Sequence, residues 1–247
     1  MMASFDLCVT ASRRPDLLAV TLASFSDRIF SHCAPDRVFV NLDPIFGSEA
    51  DHVVVTSLLR NRFPGVTIFE PETPGFGAAV KRLWSATKAD YVFHMEDDWV
   101  ANSDVTDEIF TPFENPRIQQ VSFHRNENWD FRKKGYFHER KYYLKLFGVK
   151  LPFYRAVPQF TTSPSILRGE FARSAAALMN PGHDPEKQFY SSVNKELERF
   201  VKPFRNYIFS QNGVPVIRDI GCEWRDTRGI QKIIKDGVST WEMPTRS

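Results

Sequence analysis

The feature that most constrains this chain is a regular alternation of strand-like and helix-like segments through its first half. Segments 12–30 and 48–63 have helical signals, with Pro15 suited to a first turn and Ser48 to an N-cap. Segment 73–90 opens with glycines and continues as a helix. Short runs rich in β-forming residues precede, separate and follow these segments. They lie at 5–12, 37–44, 66–71, 91–100 and 117–124. This order predicts βαβ units and an α/β fold with a mostly parallel central sheet flanked by helices.

The length of 247 residues suits one large domain, and we expect a single domain over 1–247. Residues 1–125 are predicted to form a nucleotide-binding half, and 126–247 a half that completes the site. The second half is less regular. Its pattern predicts a turn and a helix at 163–179, a helix with acids at its start at 183–204, a late strand at 214–221, and then a basic tail.

Charge and cysteine content exclude several classes of protein. A net charge of +2 and a pI of about 8.4 are too balanced for extensive contact with nucleic acid. No stretch approaches the roughly 20 apolar residues of a membrane span. The chain starts directly with a strand pattern, so we expect no signal peptide. Three cysteines without a CxxC pair disfavour a disulfide framework or a structural zinc site, and we expect a cytoplasmic protein.

The stretch YVFHMEDDWV, residues 91–100, places three carboxylates at the end of a buried strand. Adjacent carboxylates repel one another unless a cation or solvent offsets their charge. On an extended strand Glu96 and Asp98 share a face and Asp97 points away, so two carboxylates could hold Mg²⁺ or Mn²⁺ beside a diphosphate. The alternative is a strand end or a cap for the next helix. His94 would lie on the same face of the strand as Glu96 and Asp98. It is either a metal ligand or a core residue.

Other strands also end in polar residues. Ser12, Arg13 and Arg14 follow the first strand, and Asp43 ends the second. In a parallel sheet these ends lie at one edge, where α/β proteins bind their ligands. We therefore expect these side chains to surround one site together with the three acids.

These segments together resemble a known family. The strand FDLCVTAS, then RRP, the strand VFVNLD, the helix start PGFGAAV and the strand YVFHMEDD resemble the nucleotide-sugar half of GT-A-type glycosyltransferases, whose acidic DxD-like motif has this place. The pattern is similar to the inverting family 2 group and to the N-acetylglucosaminyltransferases that carry EDD. The resemblance covers 4–125 well, and the second half only loosely.

The resemblance implies a donor site, a cofactor and partners. Asp98 is implied as the direct metal ligand, with Glu96 beside it, and Mn²⁺ or Mg²⁺ as the ion. Asp97 and Glu96 are implied to contact the ribose and the waters of the ion. The residues implied to hold the base or ribose are Thr10, Ala11, Ser12, Arg13 and Asp43. The donor is implied to be a UDP-, GDP- or dTDP-sugar, and the acceptor a glycan, such as a surface glycan, or a lipid-linked molecule.

The sequence does not determine which basic residue would contact the phosphates. Lys81, in the helix before the acidic motif, stands out of register with the family pattern. Arg14 is an alternative. So are Arg225 and Arg228, which follow Trp224 in a tail segment with Lys232. Arginines there would bind the diphosphate in a bidentate manner, or the segment is a solvated helix with Trp224 in the core.

An inverting transfer requires one carboxylate to take the proton of the acceptor hydroxyl. GHDPEKQF, residues 182–189, supplies Asp184 and Glu186 at a predicted helix start. Asp184 also suits an N-cap with Pro185 at the first helical position, so Glu186 is the preferred base. The alternative is that both are ordinary acids of a first helical turn.

Segment 131–160 alternates basic and aromatic residues and contains one acid, Glu139. Its aromatic residues would form an acceptor platform in which Trp129, Tyr136 or Tyr142 stacks on sugar rings. Alternatively the segment is a lid over the donor, or its aromatics are buried. A fourth alternative is peripheral contact with anionic membrane headgroups.

Two other functions remain open at this stage. A nucleotidyltransferase acting on a sugar phosphate also pairs such a sheet with carboxylate-bound Mg²⁺. It usually has a glycine-rich loop after the first strand, whereas this chain has TASRRPD. A non-catalytic domain that binds sugar or nucleic acid is the third function, and the intact acid triplet disfavours it.

Overall fold

A computed structural model describes residues 4–147, 149–190 and 192–243 of the chain. The strands are β1 (Phe5–Ser12), β2 (Arg37–Asp43), β3 (Thr67–Phe69), β4 (Tyr91–Glu96), β5 (Trp99–Ala101), β6 (Ile118–Phe123), β7 (Glu139–Leu146), β8 (Val149–Pro158), β9 (Ser165–Arg168), β10 (Arg205–Phe209), β11 (Ile217–Asp219), β12 (Gln231–Lys235) and β13 (Val238–Glu242). The α-helices are α1 (Pro15–Phe25), α2 (Glu49–Arg62), α3 (Phe76–Ala86), α4 (Phe131–Lys134), α5 (Gly169–Leu178), α6 (Lys195–Val201) and α7 (Gly221–Asp226). A π-helical turn at Ser26–Phe30 extends α1, and 3₁₀ turns occur at Asp107–Glu114 and Lys187–Phe189.

Seven strands form the central sheet, in the order β10-β6-β9-β4-β1-β2-β3. The pairs β1–β2, β1–β4, β2–β3 and β6–β10 are parallel. Only β9 runs antiparallel to its neighbours β4 and β6 among these seven strands. The predicted α/β fold with a mostly parallel sheet is confirmed. Strands from both halves of the chain share this sheet.

Apolar residues cover both faces of the sheet. All eight residues of β1 are buried, as a central strand flanked by helices on both faces requires. One face packs on α1 and α2 through residues such as Phe25 and Leu59. The other packs on α3 and α5 through residues such as Trp84 and Phe171. The predicted N-cap Ser48 begins α2 and forms a reciprocal capping box with Asp51.

The predicted strand at 91–100 is interrupted, and this changes the acidic motif. β4 ends at Glu96, the chain turns at Asp97 and Asp98, and β5 resumes at Trp99 to pair with β11. The prediction that Glu96 and Asp98 share a face by strand alternation is therefore wrong. Asp97 leaves the strand because its carboxylate binds Ser12 at the end of β1, next to β4 in the sheet.

Two predictions for the second half need correction. Residues 163–179 contain a strand, β9, before the helix, since its apolar residues fill the sheet between β4 and β6. The predicted helix at 183–204 is a 3₁₀ turn followed by α6. Asn194 begins α6 by accepting a hydrogen bond from the backbone N–H of Leu197, so a continuous helix is not formed.

Two hairpins form from segments that the sequence left open. β7 and β8 form an antiparallel hairpin within 131–160, and β12 and β13 form a second one in the basic tail. Within the described ranges, no helix is long and apolar enough to cross a bilayer.

Candidate functional site

A cavity of about 560 Å³ opens at the carboxyl ends of β1, β2 and β4. This is where ligands bind in open α/β sheets, and the volume suits a small organic ligand. Residues of both halves line it: Thr10, Ala11, Ser12, Arg14, Asp43, Phe46, Gly75, Phe76, Glu96, Asp97, Asp98, Trp99, Arg125, Thr162, Ser163, Asp184, Glu186, Asp219, Arg225, Lys232, Ser239 and Trp241 are among them. Ten of the thirteen residues predicted for the site are in this set.

Arg14 organises the acidic motif from the end of β1. Its guanidinium binds Asp97, and Nη2 lies 3.1 Å from Asp98 Oδ2. Asp97 also accepts hydrogen bonds from the backbone N–H of Ser12 at 2.9 Å and from the Ser12 hydroxyl at 3.0 Å. Arg225 Nη1 lies 3.3 Å from the same oxygen of Asp98. Two arginines from opposite ends of the chain therefore hold the two aspartates.

The Arg14 guanidinium is buried and lies between two aromatic rings. Its centre is 5.4 Å from the Phe46 ring and 5.3 Å from the Trp224 ring. Burial alone would lower the pKa of Arg14, but Asp97 and Asp98 outweigh it and raise the pKa. The cation is thus permanently charged and fixed in place.

Two carboxylates of the motif have raised pKa values. Burial raises the pKa of Glu96 to about 8, and the neighbouring Asp98 adds to the shift. Glu96 accepts a hydrogen bond of 2.7 Å from Trp99 Nε1. Burial raises the pKa of Asp98 to about 6, with Arg14 opposing and Asp97 reinforcing the shift. Burial is the main cause of both shifts, so a cation bound beside Glu96 and Asp98 would favour their ionised forms.

Acidic groups outnumber basic groups in the lining of the cavity. Seven carboxylates and four cations line the cavity, which gives a formal charge of −3 when all are ionised. The cations are Arg14, Arg125, Arg225 and Lys232. A bound diphosphate would add further negative charge, so a cation must accompany it.

The described residues contain no cluster of three or more His, Cys, Asp or Glu side chains arranged to hold a metal ion by themselves. Magnesium and manganese commonly bind through one or two carboxylates and take their other ligands from substrate phosphates and water. Asp98 Oδ1 and Glu96 Oε1 accept no hydrogen bond from any described residue. These two oxygens therefore suit a divalent ion of this kind.

The wall beneath β2 is formed by Asp43 and aromatic rings. Asp43 accepts hydrogen bonds from the backbone N–H of Gly75 at 3.0 Å and from Asn41 Nδ2 at 2.7 Å. Burial raises its pKa. The Phe46 and Trp241 rings meet edge to face, with centroids 5.2 Å apart. Together these groups form a partly apolar corner with a carboxylate, which suits an aromatic heterocycle that hydrogen-bonds to Asp43.

The two candidate bases of the second half differ in their contacts. Glu186 Oε1 accepts hydrogen bonds from the Thr161 hydroxyl and from the backbone N–H of Thr162, the latter at 3.0 Å. Glu186 Oε2 accepts none from the described residues, and the side chain lines the cavity. Both oxygens of Asp184 are occupied instead. The sequence placed these acids on a helix, whereas they precede a 3₁₀ turn.

The C-terminal hairpin closes one side of the cavity by binding Asp184. Asp184 Oδ2 accepts a hydrogen bond from the Ser239 hydroxyl at 2.5 Å and lies 3.1 Å from Lys232 Nζ. The backbone N–H of Asp184 donates to the Gly237 carbonyl at 2.6 Å. Burial would raise the pKa of Asp184, but Lys232 and Ser239 outweigh it and lower the pKa.

Three predicted residues do not line the cavity. Arg13 Nη1 pairs with Glu49 Oε1 at the start of α2, at 2.5 Å. Lys81 Nζ donates to the Met179 carbonyl at 2.7 Å, which ties α3 to the end of α5. The Arg228 guanidinium lies over the Trp224 ring at 4.2 Å. Each of these side chains contacts another residue outside the cavity. The sequence did not predict these contacts.

Sequence reasoning also missed residues of the cavity. Arg125 follows β6, another strand whose carboxyl end lies at this edge, and that position was the available signal. Phe46 follows β2 and had the same signal, whereas Asp219 and Trp241 reach the cavity only through the tertiary fold. His94 is a core residue: it is buried, its pKa is lowered by burial to about 3, and Trp84 Nε1 donates to its Nδ1.

The structure is similar to solved glycosyltransferases. A mannosyltransferase from Pyrobaculum calidifontis, in complex with GDP-Man and Mn²⁺, is 12% identical with a TM-score of 0.59, over 89% of this chain and 57% of that one. TarS 1-349 from S. aureus, in complex with UDP, is 13% identical with a TM-score of 0.53, over 87% and 60%. GalNAc-T7 with UDP, GalNAc and Mn²⁺ is 12% identical with a TM-score of 0.55, over 86% and 44%.

The chain has the GT-A-type α/β fold. It spans between 36% and 61% of the length of the similar structures. No protein-family model matches the sequence, and no curated protein matches it either. At 11–14% identity the likeness is one of fold, and any activity has to be argued from the site.

Proposed function

We propose that this chain transfers a sugar from a nucleoside-diphosphate sugar to a hydroxyl group of a glycan or lipid-linked acceptor, with inversion at the anomeric carbon. The observation that carries the proposal is the cavity at the carboxyl ends of the strands, where carboxylates with raised pKa values meet fixed arginines in a GT-A-type fold. The nucleotides and nucleotide sugars bound in the similar structures also support it.

The nucleoside of a UDP-, GDP- or dTDP-sugar binds at the ends of β1 and β2. Thr10, Ala11 and Ser12 supply the floor of this subsite, and Asp43 accepts a hydrogen bond from the base or ribose. The Phe46 and Trp241 rings, which meet edge to face, supply the apolar contacts of the nucleoside. Asp97, whose oxygens are held by Ser12 and Arg14, keeps Arg14 in position.

The diphosphate lies against Arg14 and Arg225, which both contact Asp98. Guanidinium groups suit this task because they stay charged and carry several N–H donors, so they can bind a carboxylate and a phosphate oxygen together. Asp98 and Glu96 would hold Mn²⁺ or Mg²⁺ beside the diphosphate. When bound, the ion offsets the negative charge that develops on the departing nucleoside diphosphate.

Glu186 is the base. Its Oε1 is fixed by Thr161 and Thr162, which leaves Oε2 for the acceptor. The acceptor oxygen attacks the anomeric carbon as its proton passes to Glu186 Oε2. The bond from that carbon to the phosphate oxygen breaks, and the nucleoside diphosphate leaves with the electron pair. Asp184 anchors the C-terminal hairpin and takes no part in proton transfer, because its oxygens are occupied.

The product tests this function against nucleotidyl transfer. We expect the purified protein, given Mn²⁺ and a panel of UDP-, GDP- and dTDP-sugars with glycan acceptors, to release a nucleoside diphosphate. Chromatography of the nucleotide products identifies it. Release of pyrophosphate from a nucleoside triphosphate and a sugar phosphate would instead indicate a nucleotidyltransferase and would refute the proposal.

A further inference from the structure

Large apolar side chains are concentrated at the surface of the β7–β8 hairpin. Phe147 directly follows β7 and is 96% exposed, and Phe153 on β8 is 70% exposed. The other exposed large apolar residues of this hairpin are Tyr142, Tyr143, Leu144, Leu146, Val149 and Tyr154. Among the described strands, the hairpin is a two-stranded sheet separate from the central one. Exposed apolar surface on this scale indicates a place of contact with another phase or molecule.

The base of the hairpin is fixed to the body of the protein. Arg205 Nη1 on β10 pairs with Glu139 Oε2 at the start of β7, at 3.0 Å. The backbone N–H of His138 donates to the Asn206 carbonyl at 2.9 Å. Leu146 pairs with Val149 at the far end, on either side of the turn. The apolar residues near Phe147 therefore form a tip at the end of an anchored arm.

The hairpin is basic as well as apolar. Its range 139–158 contains five cations and a single acid, Glu139, which Arg205 already neutralises. The Arg140 guanidinium lies 5.1 Å from the centre of the Tyr142 ring. A second copy of the hairpin would bring like charges together. An anionic partner fits this combination of aromatic residues and cations better.

A row of cations on α6 continues the basic surface beside the hairpin. Lys195 and Arg199 lie in α6, and Lys202 is its C-cap residue; the spacing of i, i+4 and i+7 places them on one side. They line a groove with Tyr142, and the structure shows no ion pair for any of the three with another described residue. Like charges at this spacing destabilise an isolated helix by a few tenths of a kcal/mol. The acid in the groove, Glu198, accepts a hydrogen bond from the backbone N–H of Ser192.

We propose that this surface docks onto a bilayer that contains anionic lipids. The tip formed by Leu146, Phe147 and Val149 enters the boundary between headgroups and acyl chains, where aromatic and aliphatic side chains are stable. The described hairpin cations Arg140 and Lys141 contact the anionic headgroups together with the cations at α6. The inference does not depend on the proposed transferase activity. If both hold, docking brings the cavity to a lipid-linked acceptor.

A substitution that removes the tip without unfolding the hairpin is available. Phe147 has a left-handed backbone, with φ of 48°, which asparagine adopts more readily than most residues. Threonine at 146 and 149 retains β-propensity. The tip variant is therefore Leu146→Thr/Phe147→Asn/Val149→Thr. Its matched control removes exposed apolar side chains from α1 and α2, as Val20→Thr/Val53→Thr/Val54→Thr.

The charge variant is Lys195→Gln/Arg199→Gln/Lys202→Gln. Its control is Arg60→Gln/Lys88→Gln/Arg218→Gln, which removes three exposed cations elsewhere. Co-sedimentation is measured with vesicles of phosphatidylcholine alone and mixed with phosphatidylglycerol. We expect the wild type and both controls to bind the mixed vesicles. The tip and charge variants should each lose about tenfold in partitioning, and added salt should weaken binding.

The proposal is overturned if the wild type does not bind the mixed vesicles, or if the tip variant binds as well as its control. Sedimentation equilibrium of the same variants addresses the competing partner. A wild-type dimer that dissociates in the tip variant, without vesicle binding, would assign this surface to a second copy and would also overturn the proposal.

Discussion

Lys232 in the C-terminal hairpin forms an ion pair with Asp184 across the cavity, with 3.1 Å between Lys232 Nζ and Asp184 Oδ2. Asp184 is buried, and its Oδ1 accepts hydrogen bonds from the backbone N–H groups of Glu186 and Lys187, both at 3.1 Å. One carboxylate therefore fixes the hairpin that closes the cavity and the segment that carries the proposed base.

Asp184→Asn should destabilise the protein in a pH-dependent way. The folded-state pKa of Asp184 is lowered from its usual 3.8. Its ionised form therefore stabilises the fold above that pH, and this contribution is lost as the pH falls through the lowered folded-state pKa. Thermal denaturation from neutral pH to well below pH 3.8 measures the effect, since the loss lies between that value and the lowered folded-state pKa. The variant should be less stable at pH 7, and its stability should fall less steeply in acid.

The exposed Asp104→Asn, which pairs with Arg28 at the surface, is the control for this series. It should follow the wild-type curve. If Asp184→Asn gives a curve parallel to the wild type, the ion pair does not contribute to stability as argued.

Arg14→Gln should be far more damaging than Arg13→Gln. Removal of Arg14 leaves Asp97 and Asp98 buried without their main cation, and breaking a buried pair in this way costs about 3–5 kcal/mol. Arg13 pairs with the exposed Glu49, and surface pairs contribute about 1 kcal/mol or less. Urea denaturation of the two neighbouring substitutions measures both. Equal losses would refute the central role of Arg14.

Gly221→Ala should weaken donor binding without unfolding the chain. A Cβ at position 221, the first residue of α7, would overlap Asp98 Oδ2. The Asp98 carboxylate would have to move from its place between Arg14 and Arg225. Gly65→Ala is the control, since a Cβ there meets no atom within 4 Å. Affinity for the donor nucleotide should fall in the Gly221→Ala variant and stay unchanged in Gly65→Ala. If Gly221→Ala binds the nucleotide as tightly as the wild type, Asp98 is not a ligand.

Glu186→Gln should abolish transfer and leave donor binding intact. The amide keeps the shape of the side chain but cannot take a proton, and loss of a general base lowers the rate about 10²- to 10⁴-fold. Glu170→Gln, an exposed acid in the first turn of α5, is the control. Turnover and nucleotide affinity are measured on the same preparations. A variant that retains turnover would remove Glu186 from the mechanism.

The sequence predicted the elements whose signals are local. The strands of the first half and the cap at Ser48 follow from apolar runs and capping chemistry. The convergence of Ser12, Asp43 and the acids follows from the parallel arrangement, because such strands end at one edge. The end of β4 before Asp97 could not be predicted from the sequence, because it depends on hydrogen bonds between Asp97 and Ser12 in the neighbouring strand.

The second half was less predictable because its positions are set by long-range contacts. β9 runs antiparallel within a mostly parallel sheet, and its short apolar run looks like part of the next helix in the sequence. Trp241 and Lys232 reach the cavity only because a hairpin docks on Asp184. Arg14 stands next to Arg13, and only the fold shows which of the two faces the acids.

The most direct test of the donor site is calorimetric titration with UDP, GDP and dTDP, with and without Mn²⁺. The proteins are the wild type, Asp98→Asn and the surface control Asp104→Asn. The account predicts that one nucleotide binds the wild type and the control in a Mn²⁺-dependent manner, and that Asp98→Asn loses at least about tenfold in affinity, since a hydrogen bond or ligand to a charged group contributes about 1.5–3 kcal/mol. If no nucleotide binds the folded wild type, or if Asp98→Asn binds as tightly as the wild type, the donor site is not where we place it.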